Sequence, residues 1–140
     1  MPGILGLREE DWGGTFYHPS TPVLERGFEV FLKDWKSLGG DPYLPRRYRE
    51  LLHRTGFASV RTSATAETRE GDAARQWSEM AGAYMLAPAT KKRVIDAGLA
   101  DEALLENLLD DWARWGRNPD AFLSITYCEV LALKAADPDR

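Results

Sequence analysis

The chain has 140 residues and a formal net charge of −4 at pH 7, with 44% hydrophobic and 29% charged residues. This length suits one domain with a buried core, and the acidic balance argues against a general nucleic-acid-binding protein. No apolar run is long enough for a membrane span, no secretory-signal pattern is visible, and the single Cys128 excludes a disulfide framework. We therefore expect a single domain over residues 1–140 in a reducing, cytoplasmic setting.

The first predicted elements are a strand and a long helix. The apolar run Gly3–Arg8 indicates a buried strand, and the polar segment REEDWGGTFYHPSTP is predicted to be a loop beyond the strand's carboxyl end. Thr21 and Pro22 form a typical helix start, because a capping hydroxyl precedes proline in the first helical position. Apolar residues at spacings of three and four continue to Leu38 and predict a helix over about 21–38. The apolar stripe of this helix consists of Leu24, Phe28, Phe31, Leu32, Trp35 and Leu38.

The stretch Gly39–Phe57 carries the clearest start and stop signals. Gly39-Gly40 can adopt the left-handed backbone that ends a helix, and Asp41-Pro42 suits a turn. Gly56 ends a short amphipathic helix, and an extended run begins at Phe57. The apolar face of that short helix consists of Leu44, Tyr48, Leu51 and Leu52.

The second half of the chain predicts a strand, three helices and a final strand. Ala58–Arg69 is rich in Thr, Ser and Val and indicates a strand. Helices follow over Gly71–Ala87, through Val94-Ile95, and after a cap at Asp101. The last segment, AFLSITYCEVLALK, is apolar on both faces, so we expect a central strand covered by helices on each side. The order of elements predicts an α/β fold with about three strands.

Four segments carry a family resemblance: GILGLREEDWGG, the aromatic helix with Trp35, GGDPYLPRRYRELLHRTGF and FLSITYCEVLALK. In this order they resemble the carboxyl-terminal half of class I S-adenosylmethionine-dependent methyltransferases, above all proteins similar to ubiquinone/menaquinone-biosynthesis C-methyltransferases. Pro45 stands where that family usually has glycine, and Thr55 where it often has alanine. The resemblance implies a partial Rossmann-like sheet resembling the family's strands five to seven, in which the last strand runs antiparallel between the other two.

The resemblance also implies what the chain lacks. The family holds S-adenosylmethionine with a glycine-rich turn and an acidic residue from its first three strands. Gly13-Gly14 and Gly39-Gly40 do not follow a strand and open a helix at the required spacing. We therefore expect the substrate-side half of a methyltransferase, which binds this cofactor only if a partner chain supplies the amino-terminal half and which methylates nothing alone.

By the same resemblance, aromatic residues would wall the substrate pocket. They could hold a flat or lipophilic acceptor, which His18 could orient or deprotonate. The alternative is that His18 and the aromatic residues near it merely cover the end of the sheet, and that the aromatic residues on helices belong to the core. The candidate substrate-binding residues are Trp12, Phe16, Tyr17, His18, Trp35, Trp77 and Tyr84.

No catalytic or metal-binding residue is assigned. Two histidines and one cysteine offer no metal-ligand spacing, and adjacent carboxylates such as Asp110-Asp111 point apart on a helix. The basic residues are expected to form solvated helix faces, with phosphate or anionic-lipid contact as the alternative. These basic residues are Arg46, Arg47, Arg49, Arg54, Lys91, Lys92 and Arg93.

Two functions of different class remain open. The first is the substrate-side half of a methyltransferase, either one piece of a split enzyme or a truncated reading frame of a whole one, whose first strand has an open edge that binds the complementary half. The second is a non-catalytic subunit that dimerises through that same edge or binds another partner, and that holds a hydrophobic small molecule.

Overall fold

The computed structural model describes residues 3–134, and these residues form three strands and five α-helices. In chain order the elements are β1 (Ile4–His18), α1 (Pro22–Ser37), a 3-10 turn (Leu44–Arg47), α2 (Tyr48–Arg54), β2 (Phe57–Glu70), α3 (Gly71–Leu86), α4 (Pro88–Asp96), α5 (Glu102–Arg117) and β3 (Phe122–Lys134). The predicted α/β class is confirmed, and so is the predicted sequence of helices.

The strands form one open sheet in the order β1-β3-β2, and β3 runs antiparallel to both neighbours. The backbone N–H of Lys134, at the end of β3, donates to the carbonyl of Gly3, just before β1, at 3.0 Å. On the other side of β3, the hydroxyls of Ser63 and Thr65 both donate to Glu129. The predicted central position of the last strand is confirmed. A three-stranded antiparallel sheet does not by itself establish the Rossmann-like fold that the resemblance implies.

β1 is longer than expected, because the segment predicted as a loop continues the strand to His18. Side-chain bonds join Tyr127 to Glu10 and Thr126 to Gly14, so consecutive residues of β3 reach positions 10 and 14 of β1. Residues 11–13 therefore form a bulge in the strand. The glycines that suggested a loop allow close strand approach instead: a Cβ on Gly14 would lie 2.6 Å from the Cβ of Thr126.

Residue contacts divide the chain into two compact units, and the division falls within all three strands. The first, called here the sheet unit, contains the chain up to Thr15, Pro42–Glu67 and the chain from Ile125. The second, called here the helical unit, contains Phe16–Asp41 and Thr68–Ser124. Each unit is therefore built from segments that are distant in sequence.

The core of the sheet unit lies between α2 and one face of the sheet. Tyr48 and Leu52 of α2 pack with Val60, Val130 and Ala132 of the strands. The intervening residues of β3 point to the opposite face and are exposed, Leu131 by 58% and Leu133 by 44%. The prediction that helices cover β3 on each side is therefore wrong for this part of the strand, because α2 covers one face only.

The helical unit contains α1, α3, α4 and α5, with α5 packed against both α1 and α3. The predicted start of α1 is confirmed, since the Thr21 hydroxyl accepts from the N–H of Leu24 and Pro22 opens the helix. α1 and α5 meet closely at Gly27, where a Cβ would lie 2.7 Å from Cδ2 of the buried Leu108. Of the helices in residues 3–134, none is both long enough and apolar enough to span a membrane.

The stretch 39–57 folds as its signals predict. Gly39 has a φ of +83° at the end of α1, and Gly56 has a φ of +86° at the end of α2. Both values lie in the left-handed region that favours glycine. The predicted short helix is a 3-10 turn that continues into α2, and β2 begins at Phe57 as expected.

Candidate functional site

The aromatic residues before α1 do not form one continuous wall. Phe16, Tyr17 and His18 lie in β1, where successive side chains point to opposite faces. Phe16 is 60% exposed and His18 is exposed, whereas Tyr17 is half-buried with its ring centroid 5.9 Å from that of Trp112. Burial is the main cause that raises the pKa of the Tyr17 phenol. These three residues therefore do not share one surface.

The helical unit brings two predicted residues, Trp35 and Tyr84, into one aromatic cluster. The ring of Phe31 is its centre, with centroid distances of 5.6 Å to Trp35, 5.6 Å to Tyr84 and 6.1 Å to Phe28. All four side chains are half-buried, so each keeps an exposed part. We call Phe28, Phe31, Trp35 and Tyr84 the aromatic cluster. Two of its four members, Trp35 and Tyr84, are residues predicted to bind substrate.

Sequence reasoning missed Phe28 and Phe31 as site residues, although it placed both on the apolar stripe of the first helix. Phe28 lies seven residues before Trp35 and Phe31 four residues before it, and these spacings were the available signal, because such positions share one helix face. Trp77 precedes Tyr84 by seven residues on α3 and is half-buried. Trp12 belongs to the sheet unit, where its backbone N–H donates to the carbonyl of Pro42 at 3.2 Å.

An ion pair lies next to the aromatic cluster. Asp34 has no exposed surface, and its carboxylate accepts from Nε and Nη2 of Arg93 at 2.5 and 2.7 Å. The phenol of Tyr84 donates to the same carboxylate at 3.2 Å. Arg93 and, to a lesser degree, Tyr84 hold the pKa of Asp34 below its usual value. This pair joins α1, α3 and α4, so it fixes the helices that carry the cluster.

The basic residues are more engaged than the prediction of solvated helix faces implies. Arg93 binds a buried carboxylate, and Arg49 donates to the carbonyl of Val60. Arg93 is half-buried, so the prediction is wrong for this residue, whereas Arg49 and Arg46, described next, stay exposed as predicted. The remaining four form ion pairs with exposed carboxylates, as on a solvated face: Arg47 and Arg54 with Glu50, Lys91 with Glu102, and Lys92 with Asp96.

The bulge of β1 is fixed by a second buried carboxylate. Asp11 is 6% exposed and accepts from Nε and Nη2 of Arg46 at 2.6 and 2.9 Å. Its Oδ1 also accepts from the N–H of Gly13 at 2.9 Å. Burial raises the pKa of Asp11, but the bonds from Arg46 and Gly13 outweigh it, so the pKa lies below its usual value. The guanidinium lies over the ring of Tyr43, 4.9 Å from its centroid.

An open groove of about 380 Å³ lies in the sheet unit between the 3-10 turn, α2 and the sheet. Arg46 and Arg49 line it, but both guanidinium groups already donate to protein acceptors. Burial raises the pKa of the Cys128 thiol, so this thiol is not an activated nucleophile. The lining residues are Pro45, Arg46, Arg49, Thr62, Ser63, Ala64, Cys128 and Glu129.

The described residues do not fit S-adenosylmethionine in the way the resemblance describes. The space at Gly13 is filled by Arg46, and that at Gly14 by Thr126, so neither glycine leaves room for a cofactor beside the backbone. Gly39 ends α1, and Gly40 packs against Trp35. Neither glycine pair joins a strand to the start of a helix. No step of methyl transfer is therefore assigned to these residues.

Within residues 3–134, no group of three or more His, Cys, Asp or Glu side chains is arranged to hold a metal ion. These residues do form an aromatic surface on the helices, a bulged strand held by Asp11, and an open groove. Comparison with known proteins adds no relative: no protein-family model matches the chain, and a search of curated proteins finds no match.

Proposed function

We propose that this chain is the substrate-side portion of an S-adenosylmethionine-dependent small-molecule methyltransferase, and that another portion or partner chain supplies the cofactor site. The observation that carries the proposal is the strand order β1-β3-β2 with an antiparallel β3 in the centre. The resemblance in the sequence implies this same order and direction for the family's last three strands. The 3-10 turn and α2, which lead from the end of α1 into β2, also occur where the resemblance expects them.

The open face of the sheet unit supports the requirement for a complementary portion. Opposite α2, the sheet exposes Ile4 by 73%, Leu131 by 58% and Leu133 by 44%. These residues lie on β1 and β3, and a Cβ on Gly6 would be 3.7 Å from Leu131. In the described residues, the outer edge of β1 has no neighbouring strand. An apolar face beside a free edge is the kind of surface that another protein segment covers.

The aromatic cluster supports a flat, lipophilic acceptor as the substrate class. Half-buried aromatic rings offer a large apolar contact area at a small cost in conformational entropy. The ion pair between Asp34 and Arg93 holds the backbone beneath the rings, so the surface is formed before a ligand arrives. A cytoplasmic location agrees with the proposal, because Cys128 is the only cysteine of the chain.

The proposal is tested by calorimetric titration with S-adenosylmethionine. We expect no saturable binding by the chain alone. When the chain is co-expressed with the product of the coding sequence directly upstream, we expect a complex that does bind the cofactor. Saturable binding by the chain alone, or an upstream product that neither forms a complex nor carries a strand followed by a glycine-rich turn, would contradict the proposal.

A matched pair of variants tests which surface binds the complementary portion. Leu131→Asp places a charge on the open face at a position that is already 58% exposed, so the chain should fold while the complex is lost. Leu109→Asp is the control, because Leu109 is also exposed, by 40%, but belongs to α5 in the helical unit. Equal effects of the two substitutions would exclude the open face as the binding surface.

A non-catalytic subunit that holds a hydrophobic small molecule is the second candidate. It is favoured by the aromatic cluster, which offers an apolar surface, together with the exposed position of His18 on β1. For this function the chain binds the small molecule without any cofactor-bearing partner. This candidate is supported over the first if the chain binds an aromatic ligand and forms no complex with the upstream product.

A further inference from the structure

β2 is an edge strand whose middle part is exposed. It forms one side of the sheet in residues 3–134, with β3 as its neighbour. Every residue from Arg61 to Ala66 is exposed, on both faces of the strand. Exposed edges are commonly protected by proline, by several charges or by a covering element. The segment 61–66 contains no proline and only one charged residue.

The sequence of this edge is complementary to itself when it is read in the antiparallel direction. With Ala64 opposite its own copy, Arg61 lies opposite Glu67, and Ser63 lies opposite Thr65. Two opposite-charge pairs then flank two pairs of small hydroxyl side chains, and an alanine pair lies at the centre. Cross-strand pairs of these types stabilise antiparallel strands. If the two strands paired with Thr65 at the centre instead, Arg61 would lie opposite Arg69. Repulsion between these arginines therefore favours the register centred on Ala64.

We propose that two copies of this chain associate through their β2 edges, antiparallel and centred on Ala64, into one continuous six-stranded sheet. The two-fold axis makes the contact self-complementary, as in most homodimers. This inference is independent of the proposed methyltransferase function, because it concerns β2 and not the edge of β1. It also differs from the dimer through the first strand that the sequence suggests.

Contacts within the chain already orient the side chains that this pairing uses. Glu67 is held on the face opposite α2 by an ion pair with Arg8. Ser63 and Thr65 lie on the same face, where they donate to Glu129 at 2.9 Å. Odd-numbered residues of this segment therefore share one face, as the proposed pairing requires.

The size of the particle in solution tests the proposal. Light scattering coupled to size exclusion, over a wide range of concentration, should show a species of twice the 15.7 kDa chain mass. Arg61→Glu sets two glutamates opposite each other at both ends of the contact, so it should yield a monomer. Glu67→Arg should also yield a monomer, because it sets two arginines opposite each other.

Mixing the two variants provides the decisive measurement. A chain with glutamate at both positions and a chain with arginine at both positions form two opposite-charge pairs in the proposed register. An equimolar mixture should therefore regain at least half of the dimer that the unmodified chain forms. Arg54→Glu is the charge-matched control, because Arg54 is exposed on α2 and should leave the dimer unchanged.

Three results would overturn the inference. They are a monomer at all concentrations of the unmodified chain, a dimer that Arg61→Glu does not weaken, and a mixture of the two variants that stays monomeric. Far-UV circular dichroism of each variant shows whether it is folded. Arg61 has an exposed side chain on a strand edge, so its substitution should not unfold the chain.

Discussion

Arg93 donates from two nitrogens to both carboxylate oxygens of Asp34, a residue that lies 59 positions earlier and has no exposed surface. The side chain of Arg93 is 30% exposed. The two partners are therefore unequal, because the arginine can reach water if the carboxylate is removed, whereas the carboxylate cannot. Because of this asymmetry, replacing the arginine and replacing the carboxylate should destabilise the chain by different amounts.

Arg93→Met should destabilise the chain more than Asp34→Asn does. The first change leaves a buried carboxylate with only the phenol of Tyr84 as a partner, and an unsatisfied buried polar group costs about 1–3 kcal/mol, more when it is charged. The second change removes the charge and keeps the shape. Urea unfolding of both single variants and of the double variant measures the effects, and the double variant should lose less than the sum of the two. The opposite order of the single effects would contradict the asymmetry.

The free energy of unfolding should decrease in acid, and Asp34 should account for part of this decrease. The pKa of Asp34 in the folded chain lies below its usual value of 3.8, so the folded state favours the ionised form. Its contribution is fully present above the unfolded-state pKa and is lost as the pH falls through the folded-state pKa. Unfolding measured at steps below about pH 5 should show a decline that is shallower for Asp34→Asn. An identical slope for both proteins would show that Asp34 does not contribute.

Residual acid sensitivity of Asp34→Asn should come from the sheet unit. The pKa of Asp11 is also lowered, and the pKa of Glu129 is lowered by bonds from Thr65 and Ser63. Because folding lowers both pKa values, the two carboxylates stabilise the folded state at neutral pH and lose that contribution in acid. Asp34→Asn therefore should not abolish the acid decline, and adding Asp11→Asn should reduce it further.

Two helical glycines should respond oppositely to alanine. In helix interiors, alanine is normally favoured over glycine by about 1 kcal/mol. A Cβ on Gly27, however, would lie 2.7 Å from Cδ2 of Leu108, which is 1% exposed and has no room to move. A Cβ on Gly82 would lie 3.1 Å from Cδ1 of Leu109, which is 40% exposed and can shift.

We therefore expect Gly27→Ala to destabilise the chain by about 1–3 kcal/mol, as overpacking of a core does. Gly82→Ala should be neutral or stabilising by up to about 1 kcal/mol. Thermal unfolding of both variants checks the contrast. Combining Gly27→Ala with Leu108→Ala should cost less than the two single changes together, because the second change removes the clashing methyl groups. Strict additivity would show that the two residues do not meet.

The sequence predicts best what depends on neighbours along the chain. Thr21 and Pro22 start α1, and Gly39 and Gly56 end helices, because capping and left-handed turns involve a few consecutive residues. The pairs that shape the candidate site are of another kind. Asp11 meets Arg46 over 35 residues and Asp34 meets Arg93 over 59, and nothing local distinguishes these arginines from those on solvated faces.

β1 shows how tertiary contact overrides a local signal. The segment with Gly13 and Gly14 has low strand propensity and predicts a loop. In the fold, β3 supplies strand partners on both sides of the bulge, while Asp11 accepts the N–H of Gly13 within it. The aromatic cluster was half predictable, because helical spacing groups Phe28, Phe31 and Trp35 on α1 but does not say that Tyr84 of α3 faces them.

The aromatic cluster should be the main binding surface for flat apolar ligands. Phe31 contacts three other rings, so Phe31→Ala removes the centre of the surface. Calorimetric titration with 1-naphthol should show binding by the unmodified chain and at least tenfold weaker binding by Phe31→Ala. Phe16→Ala is the matched control, since Phe16 is an exposed phenylalanine of β1 that lies outside the cluster, and it should bind as the unmodified chain does.

Circular dichroism must show that Phe31→Ala keeps its helices. A folded Phe31→Ala with unchanged affinity, or a larger loss in Phe16→Ala, would move the binding surface from α1 and α3 to the end of β1.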